Sequence, residues 1–379
     1  MRILLVSSSY RPYPSGVSEH IHHLAQELSR LGHQTHILTT NYPQIPPNSY
    51  LPSASQEPFS ITRLGRALIL PSNRSRFVLP VGYQLPFQVK RFFSHNRFEI
   101  VHCHGVFPPE LAYWAINYAP SPVVVTFHTL RKQFPSFVRK SFQTLFPKIT
   151  QKIRAKIAVS QVCRKWSEAW FPGDYHIIPN GIDINIFRPD VPPAAGLSSE
   201  HQFILYVGRL DLRKGLIVLL SALPAILKVH PKVKLVVVGT GPLVYRARKL
   251  CTALGIERSV IFAGQVAPEE LPGYYSGCTI FVSPALGGEA MGIVLLEALA
   301  AGKPIVASAI PGYTEVLTHN ETGILVPPGD SRALANAIIQ LLDSPELRQR
   351  LSQQGLAYVA QFSWSVIAKK VEEVYQSLL

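Results

Sequence analysis

The 379-residue sequence has few cysteines, and it lacks several patterns that would restrict its fold. Its four cysteines, Cys103, Cys163, Cys251 and Cys278, have neither metal-binding nor redox spacing, so a disulfide framework is excluded and a reduced cytosolic protein is expected. No window is apolar enough over sufficient length to suggest a transmembrane span. The apolar run in MRILLVSSS has no cleavage site of small residues, and it therefore predicts a first β-strand rather than a signal peptide.

Acidic residues are scarce in the first half of the chain. Residues 1–190 contain 21 Lys and Arg against 9 Asp and Glu, whereas residues 191–379 contain 16 against 14. Between Glu57 and Glu99 there are seven basic residues and no acidic one. A local excess of this kind favours an anionic partner, either lipid headgroups or nucleic acid. The alternative is a basic surface that is solvated and has no partner.

Strand-like and helix-like patterns alternate along the chain. Glu19–Leu31 has apolar residues at helical spacing, and the following Gly32 is suited to end a helix. Short apolar runs predict strands at 3–7, 34–39, 100–104, 122–127, 157–160, 176–179, 203–207, 234–238, 260–262, 279–282 and 304–307. This alternation predicts an α/β fold of two doubly wound, Rossmann-like domains, each with a parallel sheet covered by helices on both faces.

A segment rich in Pro, Gly and Ser at 189–199, PDVPPAAGLSS, predicts an interdomain linker. The first domain is then expected over residues 1–188 and the second over residues 200–362. Further helices are predicted at Ser331–Leu342, Pro345–Ala360 and Trp364–Leu378. Because ligands of open α/β sheets bind beyond the carboxyl ends of the strands, we expect the functional residues directly after strands, in a cleft between the domains.

The strongest motif follows the predicted strand at 279–282. It begins Gly287-Gly288-Glu289 and continues through Gly292 and Ile293 to Glu297. Its glycines allow a ligand to approach the backbone closely, and the helix that opens at Ile293 offers free N–H groups to a phosphate. Glu289 before this helix and Glu297 within it could contact different hydroxyls of one extended ligand. The alternative is a capped helix with one buried, paired glutamate.

A second motif, Gly208-Arg209-Leu-Asp-Leu-Arg213-Lys214-Gly215, follows the predicted strand at 203–207. Arg209 and Lys214 are placed where two cations could hold a diphosphate. Fixed cations stabilise a leaving diphosphate more strongly as its charge develops in the transition state. An ordinary basic surface loop is the alternative.

The first half has weaker motifs. Ser15 and Gly16 follow the first strand and open a helix, and His128 ends the strand at 122–127. A histidine there could donate to sugar hydroxyls, although a lone histidine is equally compatible with a structural role. His102 and His104 lie at another strand end, and no third ligand is evident beside them for a metal site.

These residues resemble the family 4 retaining glycosyltransferases of the GT-B fold. The resemblance covers nearly the whole chain and includes Glu289 with Glu297, the Arg209/Lys214 pair, and the stretches at 179–183, 264–266 and 321–326. Within the family, Gly287-Gly288-Glu289 and the stretch at 126–129 are most similar to phosphatidylinositol mannosyltransferases. Those enzymes imply GDP-mannose as the donor and a place at the cytoplasmic face of the membrane.

The resemblance implies a role for each matching residue. Gly16, Arg209 and Lys214 would contact the donor diphosphate. Glu289 would contact the transferred sugar, Glu297 the ribose and the Val266 backbone the base, with Gly288, Gly292 and Ile293 completing the donor site. His128 would lie near the anomeric carbon. The helix at 363–379 is expected to pack on the first domain, and no cofactor or protein-bound metal is expected.

An anionic lipid acceptor is expected from the basic residues of the first half. Arg74, Arg76, Arg131 and Lys132 are candidates for holding its headgroup. The segment Arg131–Lys156 interleaves apolar residues at spacings of three and four with eight basic residues and no acidic one, which is typical of a helix at an anionic bilayer surface. A core-facing helix limited by its prolines is the alternative.

Other functions remain open at this point. A nucleotide-sugar epimerase would share the double-Rossmann shape, and a nucleic-acid-binding protein would share the charge. The chain has no recognised nucleic-acid motif, however, so nucleic acid is not expected as a partner. An NAD-dependent oxidoreductase is disfavoured because no Gly-x-Gly-x-x-Gly follows a strand. A UDP-sugar donor with a soluble or polysaccharide-precursor acceptor is the main alternative within the glycosyltransferases.

Overall fold

The computed structural model describes residues 1–13, 15–42, 57–72, 75–82, 84–107, 110–128, 144, 147–197 and 201–379. The chain divides into two compact units. The first consists of Met1–Gly181 together with Trp364–Leu379, and the second is Ile182–Ser363. The two-domain α/β fold expected from the sequence is therefore confirmed.

The first unit is built on a sheet of eight strands in its described part. The strands are β1 (Arg2–Val6), β2 (Gln34–Asn41), β3 (Ser60–Ser72), β4 (Ser75–Val81), β5 (Ile100–Cys103), β6 (Val123–Phe127), β7 (Ile153–Ala158) and β8 (His176–Ile177). They lie in the order β4-β3-β2-β1-β5-β6-β7-β8. Every adjacent pair is parallel except β3 and β4, which are antiparallel.

Helices cover this sheet. They are α1 (Gly16–Arg30), α2 (Leu85–His95), α3 (Leu111–Tyr118), α4 (Pro147–Lys152), α5 (Gln161–Glu168) and, from the end of the chain, α13 (Trp364–Gln376). The last helix packs against α1, and its Trp364, Ile367 and Val371 join the core around β1. The expectation that the C-terminal helix belongs to the first domain is thus confirmed.

Local sequence explains where α1 begins and ends. The Ser15 hydroxyl caps the helix by accepting a hydrogen bond from the backbone N–H of Ser18 at 3.1 Å. Ile21, Leu24 and Leu28 recur at helical spacing and are fully buried. Gly32 follows the last turn with φ +89°, a left-handed conformation that glycine adopts at low cost.

The antiparallel hairpin of β3 and β4 was not predicted from the sequence. Its strands pair from Arg66 with Val81 to Ser72 with Ser75, at the edge of the sheet. Arg63, Arg66 and Leu68 interrupt any clean alternation of polar and apolar residues in β3. The described side chains of β3 are all half-buried or exposed, and β4 forms the edge of the sheet, so these strands carry a weak periodic pattern.

The second unit has a six-stranded sheet that is parallel throughout. Its strands are β9 (Phe203–Val207), β10 (Lys234–Val238), β11 (Val260–Gly264), β12 (Ile280–Ser283), β13 (Ile305–Ser308) and β14 (Ile324–Val326). Its helices are α6 (Leu216–Val229), α7 (Val244–Leu254), α8 (Leu271–Gly277), α9 (Ile293–Ala300), α10 (Pro311–Thr314), α11 (Ser331–Asp343) and α12 (Pro345–Val359). The order β11-β10-β9-β12-β13-β14 is that of a dinucleotide-binding Rossmann domain.

The predicted linker at 189–199 differs from what the structure shows. The second unit already begins at Ile182, so the boundary falls before the Pro-rich segment rather than within it. The backbone N–H of Ala194 donates to the Gly273 carbonyl on α8 at 2.9 Å. A side chain at Gly273 would meet the backbone of Pro192 and Ala194 at 3.0 Å. The proline-rich segment therefore packs on the second unit, to which it belongs.

The predicted amphipathic segment Arg131–Lys156 is only partly described, because residues 131–143 lie outside the described part of the chain. Its end is not one continuous helix: α4 stops at Lys152, and β7 begins at Ile153. Ile149 is buried in the first unit rather than presented to a membrane. Within the described part of the chain, every helix is too short or too polar to cross a bilayer.

Candidate active site

Each sheet has a switch point, where successive crossovers leave the first strand in opposite directions. In the first unit this point lies between β1 and β5, and in the second between β9 and β12. Loops at the carboxyl ends of such strand pairs diverge and leave a crevice, which is where ligands of this fold bind. The motif residues follow β9, β12, β1 and β6, as the sequence analysis predicts.

In the second unit, the loops after β9 and β12 meet through an ion pair. Lys214 Nζ donates to Glu289 Oε2 at 3.0 Å, and the side chains retain only 21% and 13% of their exposure. Lys214 is positioned by Asp211, which is buried and accepts hydrogen bonds from the backbone N–H groups of Arg213 and Lys214. A cation and a carboxylate thus stand side by side at the switch point, ready for the anionic and hydroxyl parts of one ligand.

Glycine is required where these two loops touch. Gly215 has φ +72°, and a Cβ atom there would lie 1.8 Å from the Pro284 carbonyl oxygen. Gly288 has φ +76° and lies beside Arg213, whose Nη1 donates to the Gly288 carbonyl at 3.5 Å. The glycine-rich motif therefore serves the close approach of the two loops as well as any ligand.

The second glutamate of the motif lies on α9. Glu297 Oε2 accepts a hydrogen bond from the Tyr275 hydroxyl at 2.6 Å. Burial, with the neighbouring carboxylate, raises the pKa of Tyr275 well above its usual value, so the phenol remains a neutral donor. Tyr275 on α8 therefore fixes one oxygen of Glu297, which is only partly buried.

Apart from Gly16, which lies on the first unit, the remaining predicted donor-site residues lie on the second unit. Arg209 follows β9 with a half-buried side chain, and Val266 follows β11. Gly292 caps the N-terminus of α9, and Ile293 is the first residue of that helix. A Cβ atom at Gly292 would lie 2.6 Å from the ring of Tyr313. No side chain larger than hydrogen fits at this helix end.

The first unit holds a cavity of about 160 Å³ at its own switch point. Its lining comes from α1, α5, β4 and β6 and from the segments that follow β1, β5 and β6: Ser7, Ser8, Ser9, Val17, Val78, His104, Gly105, Val106, Phe107, Glu110, Thr126, Phe127, His128 and Trp166. Hydroxyls, imidazoles and aromatic rings dominate this lining. Such a surface suits a hydroxylated ligand and offers little to a phosphate.

His128 belongs to a group of rings rather than standing alone. Its Nε2 lies 2.9 Å from Nδ1 of His104, and its ring centroid lies 4.5 Å from that of His20 on α1. Burial lowers the pKa of His104 and of His128 well below 6.5, and it lowers the pKa of His20 to about 4. All three imidazoles are therefore neutral at pH 7.

The sequence shows no third ligand beside His102 and His104, whereas the structure brings His20 and His128 to His104. One nitrogen from each of these three rings lies within 4.8 Å of the others. His102 is engaged elsewhere: its Nδ1 and Nε2 each lie 2.6 Å from the hydroxyls of Tyr375 and Thr126. No sequence spacing links the three histidines, since they come from three separate elements.

Several predicted headgroup ligands cannot be placed. Arg74, Arg131 and Lys132 lie outside the described residues, and Arg76 lies on β4. Gly16 is the first residue of α1, at the helix end next to β1. Asp211, Arg213 and Tyr275 were missed as contributors to the second-unit site. Only Asp211 has a local indication, because an Asp directly before a short turn is a typical N-cap.

Two family models match the chain. Residues 14–186 match Glycosyltransferase Family 4, and residues 188–357 match Glycosyl transferases group 1. Among solved structures, a glycosyltransferase from Rickettsia africae has a TM-score of 0.79 at 20% identity over 100% of this chain and 98% of its own. Anabaena HepE in complex with UDP and glucose has a TM-score of 0.78 at 20% identity, with both chains fully covered.

Curated relatives are similar over the whole chain. A phosphatidyl-myo-inositol mannosyltransferase of Mycobacterium leprae is 33% identical over 379 residues, which is 100% of this chain and 97% of the relative. An alpha-monoglucosyldiacylglycerol synthase of Streptococcus pneumoniae is 26% identical over 99% of this chain and 85% of the relative. The fold is thus that of a GT-B glycosyltransferase, and the chain is an enzyme that transfers a hexose.

The chain belongs to the family 4 retaining glycosyltransferases, and phosphatidyl-myo-inositol mannosyltransferases are among its relatives in that family.

Proposed function

We propose that this enzyme transfers mannose from GDP-mannose to a hydroxyl of a phosphatidylinositol-type lipid, at the cytoplasmic face of the cell membrane. The observation that carries the proposal is the 33% identity over the full chain to phosphatidyl-myo-inositol mannosyltransferases, which extends through both units. The strand-end chemistry of each unit supports a donor site in the second unit and an acceptor site in the first.

The donor diphosphate binds Arg209 and Lys214 in this proposal. The free N–H groups at the start of α9 add further positive potential, with Gly288, Gly292 and Ile293 around them. Glu289 accepts hydrogen bonds from the transferred sugar, and Glu297 from the ribose. The Lys214–Glu289 pair supports this assignment, because it places one cation and one carboxylate next to each other after β9 and β12.

The reaction is a substitution on one face of the sugar. The bond between the anomeric carbon and the leaving phosphate oxygen breaks, while the acceptor oxygen bonds to that carbon from the same face. The leaving phosphate oxygen takes the proton of the acceptor hydroxyl, so GDP departs and the configuration is retained. Cations fixed beside the diphosphate stabilise the charge that develops on it. In this proposal Arg209 and Lys214 of the second unit supply the positive potential, and no metal ion takes part in the step.

The acceptor hydroxyl binds in the cavity of the first unit. Ser7, Ser8 and Ser9 offer hydroxyls, and the Glu110 carboxylate at the edge offers an acceptor for vicinal hydroxyls of a ring such as inositol. His128 borders the same cavity as a neutral imidazole, suited to a hydrogen bond with a sugar or acceptor hydroxyl.

The described residues also support contact with an anionic bilayer, at α2. Phe87 on this helix keeps 73% of its exposure, and Lys90 and Arg91 are exposed next to it in helical spacing. Leu85, Val89 and Phe92 face the core instead. An exposed aromatic side chain flanked by cations is typical of a helix that lies on anionic lipid headgroups.

The donor and acceptor are tested in two steps. Thermal unfolding is first measured with GDP-mannose, UDP-glucose and ADP-glucose, because a bound ligand raises the unfolding temperature. Radiolabelled transfer is then measured to vesicles that contain phosphatidylinositol or diacylglycerol in phosphatidylcholine. Stabilisation by GDP-mannose and product only with phosphatidylinositol are expected. Formation of an altered nucleotide sugar without any acceptor would instead identify an epimerase.

Membrane contact is tested by vesicle sedimentation. Lys90→Glu with Arg91→Glu is expected to weaken binding to phosphatidylinositol vesicles by about tenfold or more, because each basic residue near such a surface contributes about 1 kcal/mol. Lys249→Glu with Arg246→Glu on α7 of the second unit is the matched control. Equal binding by both double variants would contradict a role for α2.

A second candidate is glucosyl transfer from UDP-glucose to diacylglycerol. The 26% identity to an alpha-monoglucosyldiacylglycerol synthase favours it, since the name of that relative gives a glucosylated diacylglycerol as its product. The transfer assay distinguishes the two candidates directly, because the acceptors are offered in separate vesicles.

A further inference from the structure

Three histidines from separate elements of the first unit meet at the edge of its cavity. We call His20 on α1, His104 after β5 and His128 after β6 the histidine cluster. One ring nitrogen of each lies within 4.8 Å of the others, and His104 Nδ1 lies 2.9 Å from His128 Nε2. His20 and His104 are buried, and His128 is half-buried beside the cavity.

The protonation state of His20 follows from its partner. Its Nδ1 lies 3.1 Å from the amide oxygen Oδ1 of Asn180. An amide oxygen only accepts, so Nδ1 carries the proton and Nε2 presents a lone pair. Metal-binding histidines are usually oriented in this way, by a hydrogen bond from the second ring nitrogen to a carbonyl oxygen.

His104 has a nitrogen that the fold leaves unsatisfied. Its Nε2 is buried and has no hydrogen-bond partner among the described residues. The side chain keeps 7% of its exposure, so water does not readily replace a partner. Buried polar atoms are nearly always paired, and an exception indicates strain, chemistry or a missing ligand.

The cluster provides one nitrogen from each of three imidazoles, and the cavity beside it leaves room for a further ligand of the ion. The cavity of about 160 Å³ borders His104 and His128, and it gives an ion a route to the cluster.

We propose that the histidine cluster binds a divalent transition-metal ion such as Zn²⁺, and that this ion inhibits the enzyme. Imidazole nitrogens suit Zn²⁺, Co²⁺, Ni²⁺ and Cu²⁺, whereas Mg²⁺ and Mn²⁺ prefer oxygen ligands. A tetrahedral ion about 2.1 Å from each nitrogen holds the nitrogens about 3.4 Å apart, so nitrogen–nitrogen distances that now reach up to 4.8 Å change by about 1.4 Å at most. The ion occupies a nitrogen of His128 and blocks the cavity to the acceptor hydroxyl.

The binding half of the proposal does not depend on the proposed function. Co²⁺ is titrated into the full-length protein without a polyhistidine tag, and its visible absorption is recorded. A strong tetrahedral band is expected for the unsubstituted protein. His104→Ala and His20→Gln are each expected to weaken Co²⁺ binding by about tenfold or more, because each removes a ligand nitrogen.

His176→Gln is the matched control, because His176 is exposed on β8 of the same unit. Circular dichroism of every variant shows whether it folds, and His20→Gln is the milder change if His104→Ala fails to fold. The proposal is overturned if the unsubstituted protein gives no tetrahedral band, or if the band survives both cluster substitutions.

The inhibition half rests on the proposed function, and it is tested by a separate measurement of the transfer rate. Zn²⁺ is expected to lower the transfer rate in proportion to occupancy, and a chelator is expected to restore it. Co²⁺ binding without any inhibition would overturn this half alone. An absence of transfer in metal-free buffer would instead count against the proposed donor or acceptor. The Co²⁺ absorption spectrum would still report metal binding in that case.

Discussion

The switch points of the two units are lined with different chemistry. In the second unit a lysine and a glutamate form a largely buried ion pair, and Arg209 and Arg213 stand near it in the chain. In the first unit the cavity is lined mainly by serines, histidines and aromatic rings. Yet the first half of the chain carries most of the positive charge, with 21 basic residues against 9 acidic ones. No Lys or Arg is among the described residues that line this cavity, so the positive charge of the first half does not extend into it.

The difference is physical. A leaving diphosphate needs fixed cations, and a cation can be kept in a protein only when it is paired or solvated. A hydroxyl acceptor needs neutral donors and acceptors, which burial itself produces by keeping imidazoles unprotonated. The comparison predicts that substitutions in the two units change different kinetic and thermodynamic quantities.

Lys214→Ala should have the largest effect. It leaves Glu289 without its partner and, on the proposed function, removes a cation beside the donor diphosphate, so kcat/KM is expected to fall by about 1,000-fold. Steady-state kinetics with circular dichroism at 25 °C measure this loss in a folded protein. Lys232→Ala, an exposed lysine of the same unit, is the control. Near-normal turnover in Lys214→Ala would contradict the claim that the second unit uses a fixed cation at its switch point.

His128→Ala should follow, with kcat lowered by about 100-fold. On the proposed function, the loss arises because a neutral imidazole no longer contacts the reacting hydroxyl at the cavity, while the donor site in the second unit is unchanged. Donor affinity, measured by calorimetry with GDP-mannose, should therefore be unchanged. His176→Ala controls for the loss of an imidazole. A weakened donor affinity with normal kcat would contradict this role and would indicate that His128 contributes to donor binding instead.

Acid should destabilise the first unit through His102. Burial lowers its pKa to about 3, whereas the unfolded chain titrates near 6.5. Between these values the unfolded state binds the extra proton, so stability is complete above pH 6.5 and decreases as pH falls. From pH 7 to pH 5 this histidine is expected to lower the free energy of unfolding by about 2 kcal/mol.

Chemical denaturation of His102→Gln measures that contribution. The variant should lose about 2 kcal/mol less than the unsubstituted protein between the two pH values, whatever its stability at pH 7. His176→Gln is again the control. An identical pH dependence in the unsubstituted protein and His102→Gln would show that the buried ring does not set the acid limit of the first unit.

Glu297→Gln should have the smallest effect. Glutamine keeps the shape and can still accept from the Tyr275 hydroxyl, but it loses the charge that would bind ribose hydroxyls. We expect KM for the donor to rise about tenfold with kcat unchanged, because this contact is similar in the ground and transition states. Glu269→Gln, exposed in the same unit, is the control. A fall in kcat with unchanged KM would contradict a ribose contact and would indicate that Glu297 acts near the reacting atoms.

Much of the fold was predictable because its parallel strands are buried. The strands at 203–207 and 234–238 were predicted with the bounds that β9 and β10 show, and α11 to α13 begin at the predicted residues. The β3–β4 hairpin was missed, since an edge strand has no strict pattern. The linker was misplaced because prolines mark irregular backbone, whether or not it packs on a neighbour.

Within the site, the local motifs were predictable and the contacts were not. Glu289, Glu297, Arg209 and Lys214 stand out because glycines and charges break the pattern directly after strands. Their partners Asp211 and Tyr275 do not, since an Asp in a turn and a Tyr in a helix are ordinary residues.

The sequence by itself determined the alternation of strands and helices, the glycine-rich loops and the charge excess of the first half, because these depend on neighbouring residues. Only the tertiary structure decided that His20, His104 and His128 meet, and that Tyr375 from the last helix contacts His102. Contacts of this kind join residues far apart in the chain, and burial then changes the chemistry of their side chains. The residues next to a histidine in the sequence therefore determine neither its distance from another ring nor the pKa of its imidazole.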